Sequence, residues 1–370
     1  MKTYVYKLYK SKKNKHLNDA LFVSAEIWNH CIALHKKYYK VTGKHISAYK
    51  MKKHLTKLKR LKKHEHWNNL GSQAVQDIAE RIDRSYTSFF RWIKTRKGAR
   101  KSPPKFRKRR NYSSFTLKQA GYSFDGNNSV TIMKRRYKYH VNREIEGTIK
   151  TVTIKRDAIG DYYLYVVTNV KTNEVYSRAG NAVGLDFGLK TFLTASDSSE
   201  VQSPFFFAHD AKLIAKLNRN LSKKKKGSRN RKRAKLDLAR QHKRIENRRT
   251  DFHRKLAQGL ASNYATICIE NLNLSGMQRL WGKKISDLAF SNFVLILEQE
   301  CIKTGSILVK VNRFFPSSQL CSGCGVQNKE TKDLKIRKWT CPHCGKIHDR
   351  DVNAAINILN EGLSSFKKAT

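Results

Sequence analysis

Acidic residues are scarce in this chain. Asp and Glu number 28 against 77 Lys plus Arg, so its 370 residues carry a formal net charge of +49 at pH 7. An excess of that size has to be neutralised from outside the chain, and a polyphosphate backbone has the charge density to do it. Long apolar runs are also missing. None reaches the roughly 20 residues that a membrane-spanning helix needs, and the opening MKTYVYKLYK lacks a signal-peptide core. The sequence therefore predicts no membrane partner and an intracellular place of work. Cysteine is sparse outside one stretch: Cys31, Cys268 and Cys301 each sit among apolar residues, the setting of a small core side chain. What the chain does have, 39% hydrophobic and 10% aromatic residues, is enough to bury real cores across two or three domains.

The other four cysteines form two C-x2-C pairs, Cys321/Cys324 and Cys341/Cys344, each followed by Gly in CSGCG and CPHCG. Tight glycine turns let two thiolates converge, and two such pairs fit a closed, tetrahedral zinc ribbon. A pair of disulfides is the competing pattern, and nothing else in the composition suggests secretion. Closed all-cysteine sites are structural, so the chemistry is expected just after the ribbon, in His348-Asp349-Arg350-Asp351.

From the start, TYVYKLY alternates like one strand. Ala20, Val23, Ile27, Cys31, Leu34 and Tyr38 then recur at helical spacing, with Gly43 as the stop. A second helix opens at Ser72 with Val75, Ile78, Ile82, Phe89 and Ile93 on its apolar face. Its Gln73, Gln76, Arg81 and Arg84 are either a solvated face or groups that read base edges bidentately. Residues 94–112 form a basic Pro/Gly loop in which Phe106 and Tyr112 interleave cations such as Lys105 and Arg107, a pattern suited to phosphate contact and stacking. Six short period-two segments between 113 and 170 predict a small antiparallel barrel. If the first strand joins it, the helices between 17 and 97 are an insertion.

Residues 182–196 read as a hairpin around Gly188-Leu189-Lys190, with Asp186 inside an otherwise apolar strand. A bare carboxylate there is costly unless it is paired, with Lys190 for example, or bound to metal. Residues 209–260 form a basic helical region broken near Gly227-Ser228; Leu238, Ile245 and Phe252 fall at heptad steps while Arg229, Arg231, Arg233, Arg244 and Arg248 cover other faces. ATICIE repeats the pattern of Asp186: an apolar strand that ends in Glu270. A helix over 286–304 and a strand over 307–311 lead to the ribbon, and Asp351 opens a last helix that Gly362 is expected to end, leaving a loose tail. If Asp186, Glu270 and Asp351 converge, three carboxylates around two Mg2+ ions suit in-line phosphodiester cleavage.

The sequence resembles the TnpB family of transposon-encoded RNA-guided nucleases, relatives of the type V CRISPR effectors, over nearly its whole length. The resemblance is carried by VGLDFGLKTFLTASD at 183–197, the basic LSKKKKGSRNRKRAKLDLARQHKRIENRRTDFHRKL region, CIENLNL at 268–274, FPSSQLCSGCG at 315–325, CPHCGKIHDRDVNAAINIL at 341–359, and the helix starting SQAVQDIAERIDRSYTSFFR at 72. It implies a multidomain α/β plus β-barrel fold. A wedge barrel over 1–15 and 98–180 carries an inserted helical recognition lobe over 16–97. A RuvC-like RNase H nuclease domain follows over 181–318 and 346–362, containing the 209–260 basic region and interrupted by the zinc ribbon at 319–345, with a tail at 363–370. The resemblance also implies Asp186, Glu270 and Asp351 as catalytic acids with two Mg2+, Asp349 as a cap or a support behind those acids, Arg350 near the scissile phosphate, and one structural Zn2+ on Cys321, Cys324, Cys341 and Cys344. The implied partners are a transposon-derived guide RNA and double-stranded target DNA, in a monomeric ribonucleoprotein of the prokaryotic cytoplasm and nucleoid. Alternatives are an RNA-guided repressor that no longer cuts and an RNA-independent transposase or resolvase. No His/Asn cluster of the HNH kind lies between Glu270 and Asp351.

Overall fold

The computed structural model describes residues 1–170, 180–272, 274–333 and 335–369. The chain separates into two compact units, Met1–Lys171 and Thr172–Thr370. Residues 171–179 of the expected barrel segment, Asn273 of CIENLNL, and Thr370 of the expected tail lie outside the described residues.

In the first unit β1 (Lys2–Lys7) turns Tyr4 and Tyr6 inward, as its alternation predicts. The chain then leaves for α1 (Asn14–Thr42), α2 (Ala48–Leu58), a 3-10 segment (Lys62–Leu70) and α3 (Ser72–Thr95). It returns as β2 (Ser114–Leu117), β3 (Tyr122–Gly126), β4 (Ser129–Ile132), β5 (Arg135–Lys138), β6 (Thr148–Arg156) and β7 (Tyr162–Asn169). Because β1 pairs antiparallel with β7, Tyr4 opposite Val166, the helices are an insertion between two members of one sheet. That sheet has the order β1-β7-β6-β2; β3-β4-β5 form a second, meeting the first through the Leu8–Tyr139 bridge. The strands are thus antiparallel throughout but divided between two sheets. The apolar stripe of α3 departs from the expected one after Ile82. It continues one turn later through buried Tyr86 and half-buried Phe90, which pack on His35 and Tyr39 of α1, and leaves Ile93 38% exposed.

The second unit opens with an antiparallel meander of β8 (Ala182–Phe187), β9 (Thr191–Ala195) and β10 (Glu200–Gln202). A short α4 (Phe206–His209), α5 (Ala211–Ser222) and the 35-residue α6 (Arg229–Asn263) follow. As the sequence predicts, the basic helices break at Gly227, whose φ of 89° lies in the left-handed region, and Ser228 caps α6 by accepting from the Arg231 N–H. Next come β11 (Thr266–Glu270), α7 (Leu274–Leu288), α8 (Phe290–Thr304), β12 (Ile307–Val311), the ribbon strands β13 (Lys338–Thr340) and β14 (Ile347–Asp349), and α9 (Arg350–Ala369). The expected helix over 286–304 is two helices. Ala289 (φ 51°) breaks them, and α7 buries Ile285 and Leu288.

The sheet order is β10-β9-β8-β11-β12, with β8, β11 and β12 parallel to one another, their crossovers made by helices. Its two faces are unlike. Val183, Leu185, Phe187, Ile267 and Ile269 pack with α6 and α8, while Gly184 and Cys268 turn to α9. A Cβ on Gly184 would strike the Ala355 carbonyl and the Leu359 amide, so α9 lies on the strand itself. Gly362 likewise sits against the Cys268 sulfur, which explains why it does not end the helix: it provides close approach where a cap was expected, and α9 runs on to Ala369. Gly184→Ala should therefore force α9 off the sheet and cost about 3 kcal/mol or more. Chemical denaturation checks this, and an unchanged midpoint would contradict the packing. Among the described residues no helix is long and apolar enough to cross a membrane.

Candidate active site

Three carboxylates meet at one end of the second unit's sheet, each brought there by its own element. β8 and β11 run parallel with Leu185 beside Ile269, so the residues that follow, Asp186 one short of the end of β8 and Glu270 at the end of β11, stand side by side on strands about 5 Å apart. Both lie on the face turned to α9, because side chains alternate and Gly184 and Cys268 are on that face. Asp351 arrives from the helix. Ala355 rests on Gly184, Asp351 is one turn before Ala355, and Asp186 is two strand residues beyond Gly184 in the same direction. The structure thus brings Glu270 and Asp351 near enough for their charges to act on Asp186.

The electrostatics bear the marks of that crowding. Burial, then the negative charges of Glu270 and Asp351, push the Asp186 carboxyl well above the usual aspartate range, and the Arg350 guanidinium only partly offsets them. Lys190, the alternative partner for Asp186, is exposed and is not among the charges acting on it. Burial also raises Glu270, while a hydrogen bond donated by the Ser317 hydroxyl pulls it back. Asp351 accepts from Arg337 Nη1 at 3.2 Å on both carboxylate oxygens. Asp349 is a helix cap: its Oδ1 accepts the N–H groups of Asp351 (3.0 Å) and Val352 (3.1 Å). Such a cluster, in a chain otherwise so positive, fits hard divalent cations that take oxygen ligands.

The raised Asp186 fixes a pH dependence. An acid whose pKa is higher folded than unfolded penalises the native state above that pKa, and the penalty vanishes once both states are protonated. Without added divalent ions, Asp186→Asn should thus raise Tm by about 2 °C or more near pH 8, and the gain should fade toward about pH 4. Melting curves across that range check it; a gain that grew as pH fell would contradict it.

The four cysteines come together as their spacing predicts, with all four sulfurs within 4.8 Å of one another. The Cys321–Cys344 and Cys324–Cys341 separations are both 3.6 Å. Sulfurs bound at about 2.3 Å around one tetrahedral ion stand about 3.8 Å apart, so the cluster fits one zinc. The Cys344 and His343 backbone N–H groups help draw the Cys341 thiol down, toward the thiolate that ligates. His348 belongs here and not with the acids: it is buried, lies tilted against Trp339 with ring centroids 4.7 Å apart, and places Nε2 3.1 Å from Cys321 Sγ.

The ribbon and α9 are fastened together. Asn353 accepts from the Ser322 N–H (2.9 Å) and donates to the Leu320 carbonyl (2.7 Å), and Asn357 donates to the carbonyls of Ser317 (2.8 Å) and Leu320 (2.7 Å). Arg350, 6% exposed, donates to the carbonyls of Asp333 (2.6 Å) and Ile336 (3.4 Å). Its guanidinium is therefore committed to the ribbon, beside Asp186. Ser317, Arg337, Asn353 and Asn357 escaped sequence analysis, though Ser317 stands in the FPSSQLC segment that carries the resemblance.

The remaining expected contact residues fall into two groups. Gln76, Lys105, Arg229, Arg233 and Arg244 are exposed and Gln73 is half-buried. The others have partners within the protein. Arg81 pairs with Asp77 and bonds the Thr116 hydroxyl, joining α3 to β2. Arg107 lies over Trp28, 4.5 Å from its ring. Arg231 donates to the Leu221 (2.7 Å) and Lys224 (3.0 Å) carbonyls, closing the turn between α5 and α6. Arg248 pairs with Asp210 and covers Phe206.

Two family models match the chain: one described as "Probable transposase" over residues 165–280, and one described as "Cas12f1-like, TNB domain" over 290–358. Among curated proteins, a "Putative RNA-guided DNA endonuclease" of Streptomyces pristinaespiralis is 38% identical over 58% of this chain and 53% of its own length. A "Putative RNA-guided DNA endonuclease InsQ" of Escherichia coli is 27% identical over 91% of this chain and 86% of its own. A TnpB-like protein of Acanthamoeba polyphaga mimivirus is 32% identical over 59% and 44%. The chain thus spans about half the length of the Streptomyces and mimivirus relatives and most of the Escherichia coli one.

Proposed function

Because the chain belongs to the TnpB family, we propose that it is a transposon-encoded, RNA-guided endonuclease that cuts double-stranded DNA beside a short target-adjacent motif. The observation that carries this reading is the meeting of Asp186, Glu270 and Asp351 at one end of the sheet. We assign the second unit as a RuvC-like RNase H nuclease domain; the sheet order, with three antiparallel strands continued by two parallel ones, supports that assignment. We assign the first unit as a wedge barrel with an inserted recognition lobe, whose exposed Gln76 and Lys105 are suited to duplex and RNA contact.

Two Mg2+ ions held by the three acids would supply an activated water for in-line attack and a counter-charge for the leaving oxygen. The chain's own residues prepare that site. Ser317 orients Glu270 and favours its ionised form. Asp349 fixes the first turn of α9 so that Asp351 projects to the strand ends, and Arg337 steadies its carboxylate. Burial keeps Asp186 reluctant to ionise until cations are near, which couples metal capture to the charge of all three acids. The exposed arginines of α6 offer phosphate contacts to the nucleic acid.

The test is to purify the full chain with the RNA it carries from cells holding the element, sequence that RNA, and then change its guide segment. The cut should follow the new guide and require a divalent cation. Equal cutting by protein stripped of RNA would overturn the proposal.

A further inference from the structure

Resting on the nuclease reading above, we infer that Phe314 is a stacking platform for a nucleobase of the strand entering the acid cluster. β12 ends at Val311, which pairs with Glu270, and the segment that follows bends back over the end of β11. Arg313 Nε donates to the Asn271 carbonyl at 3.3 Å, and the Ser317 hydroxyl donates to Glu270 itself. Its own bonds also shape the segment. Asn312 accepts the Phe314 N–H on its side chain (2.9 Å) and the Phe315 N–H on its carbonyl (3.1 Å), and Ser317 N–H donates to the Phe315 carbonyl (2.9 Å).

Within this anchored turn the two aromatics go opposite ways. Phe315 packs down on the cluster of Cys268, Val311 and Ile358, while Phe314 is 88% exposed. A lone exposed apolar side chain on a loose loop would call for no explanation. Here the ring stands on a turn bonded to Glu270 and to Asn271 just after it, and only two residues, about 10 Å of chain at most, stand between it and Glu270's own partner Val311. A flat apolar face held rigidly beside a phosphodiester-cutting site, in a chain whose cations attract the backbone, is the arrangement that grips an unpaired base without regard to sequence. Phe314 then places the neighbouring phosphate over the acids, and Ser317, on the same turn, transmits that position to Glu270.

Two measurements test this. Full-length protein with its co-purified RNA is first irradiated with matched target DNA carrying 5-iodouracil at successive positions, and the crosslinked peptide is sequenced. A crosslink at Phe314 is expected from a base near the cut, and it should survive in Asp186→Ala protein that no longer cuts. Crosslinks that form only elsewhere would overturn the inference. In the second, Phe314→Ala should slow cutting about tenfold and Phe314→Trp should restore it. Removing the stacked base from the DNA should slow the parent protein equally and the Phe314→Ala protein no further. Equal rates for parent and Phe314→Ala, or losses that multiply, would overturn it. Failure of the nuclease reading is seen separately, as cutting that persists in Asp186→Ala.

Discussion

Alanine in place of Asp186, Glu270 or Asp351, one at a time, should lower DNA cutting by about a thousandfold or more while leaving nucleic-acid binding within about twofold of the parent. The loss is large because the three groups act as a unit: among the described residues, Glu270 and Asp351 are the carboxylates whose charge acts on Asp186. Binding survives because phosphate contacts come from a large cationic surface that none of the three supplies. Nor can the loss be put down to unfolding. Removing a negative charge from a crowded, half-buried cluster relieves repulsion, so Asp186→Ala should melt no lower than the parent in metal-free buffer. Cutting that persisted within about tenfold in the Asp186 variant would place the chemistry elsewhere.

Replacing Cys321 and Cys341 by serine should abolish cutting almost as completely, although all three acids remain. The ribbon has a small core of its own, Cys321, Trp339 and Cys341 with Ile336 and Cys324 against them. Such a core does not fold unaided, and zinc binding in small finger peptides supplies about 10–16 kcal/mol. The start of α9 is held by that ribbon through Asn353, Asn357 and Arg350, so a melted ribbon frees the turn that aims Asp351. The expected outcome is one zinc per chain in the parent by metal analysis and none in the double variant. Cutting should fall about a hundredfold or more, with the first unit's melting unchanged. A Cys301→Ser control, buried against the sheet away from the ribbon, should keep its zinc. A folded, fully active double variant would show that the ribbon does not position Asp351.

What was legible in the sequence follows from how far each signal reaches. The cysteine pairs were legible because ligand spacing is local. Asp186 and Glu270 stood out because a carboxylate interrupts a short apolar strand, a local conflict that only tertiary structure resolves. The hairpin at Gly188 and the break at Gly227 were equally clear. Arg337, Ser317 and Asn353 were hidden, since each matters through a partner 14, 47 or 31 residues away. Gly362 misled because a glycine that ends a helix and one that admits a neighbouring sulfur look alike until the strand beneath is known. His348 misled for a similar reason: its neighbours in sequence point to the acids, yet β14 pairs it with Trp339 and turns it toward the thiolates.

The most direct measurement on the central claim is anomalous diffraction from crystals of the full chain soaked in Mn2+, which takes the same oxygen ligands as Mg2+. The account predicts manganese bound among the carboxylates of Asp186, Glu270 and Asp351, as two peaks about 4 Å apart once nucleic acid is present, and none there in Asp186→Ala. Manganese bound only elsewhere, with the three acids bare, would contradict it.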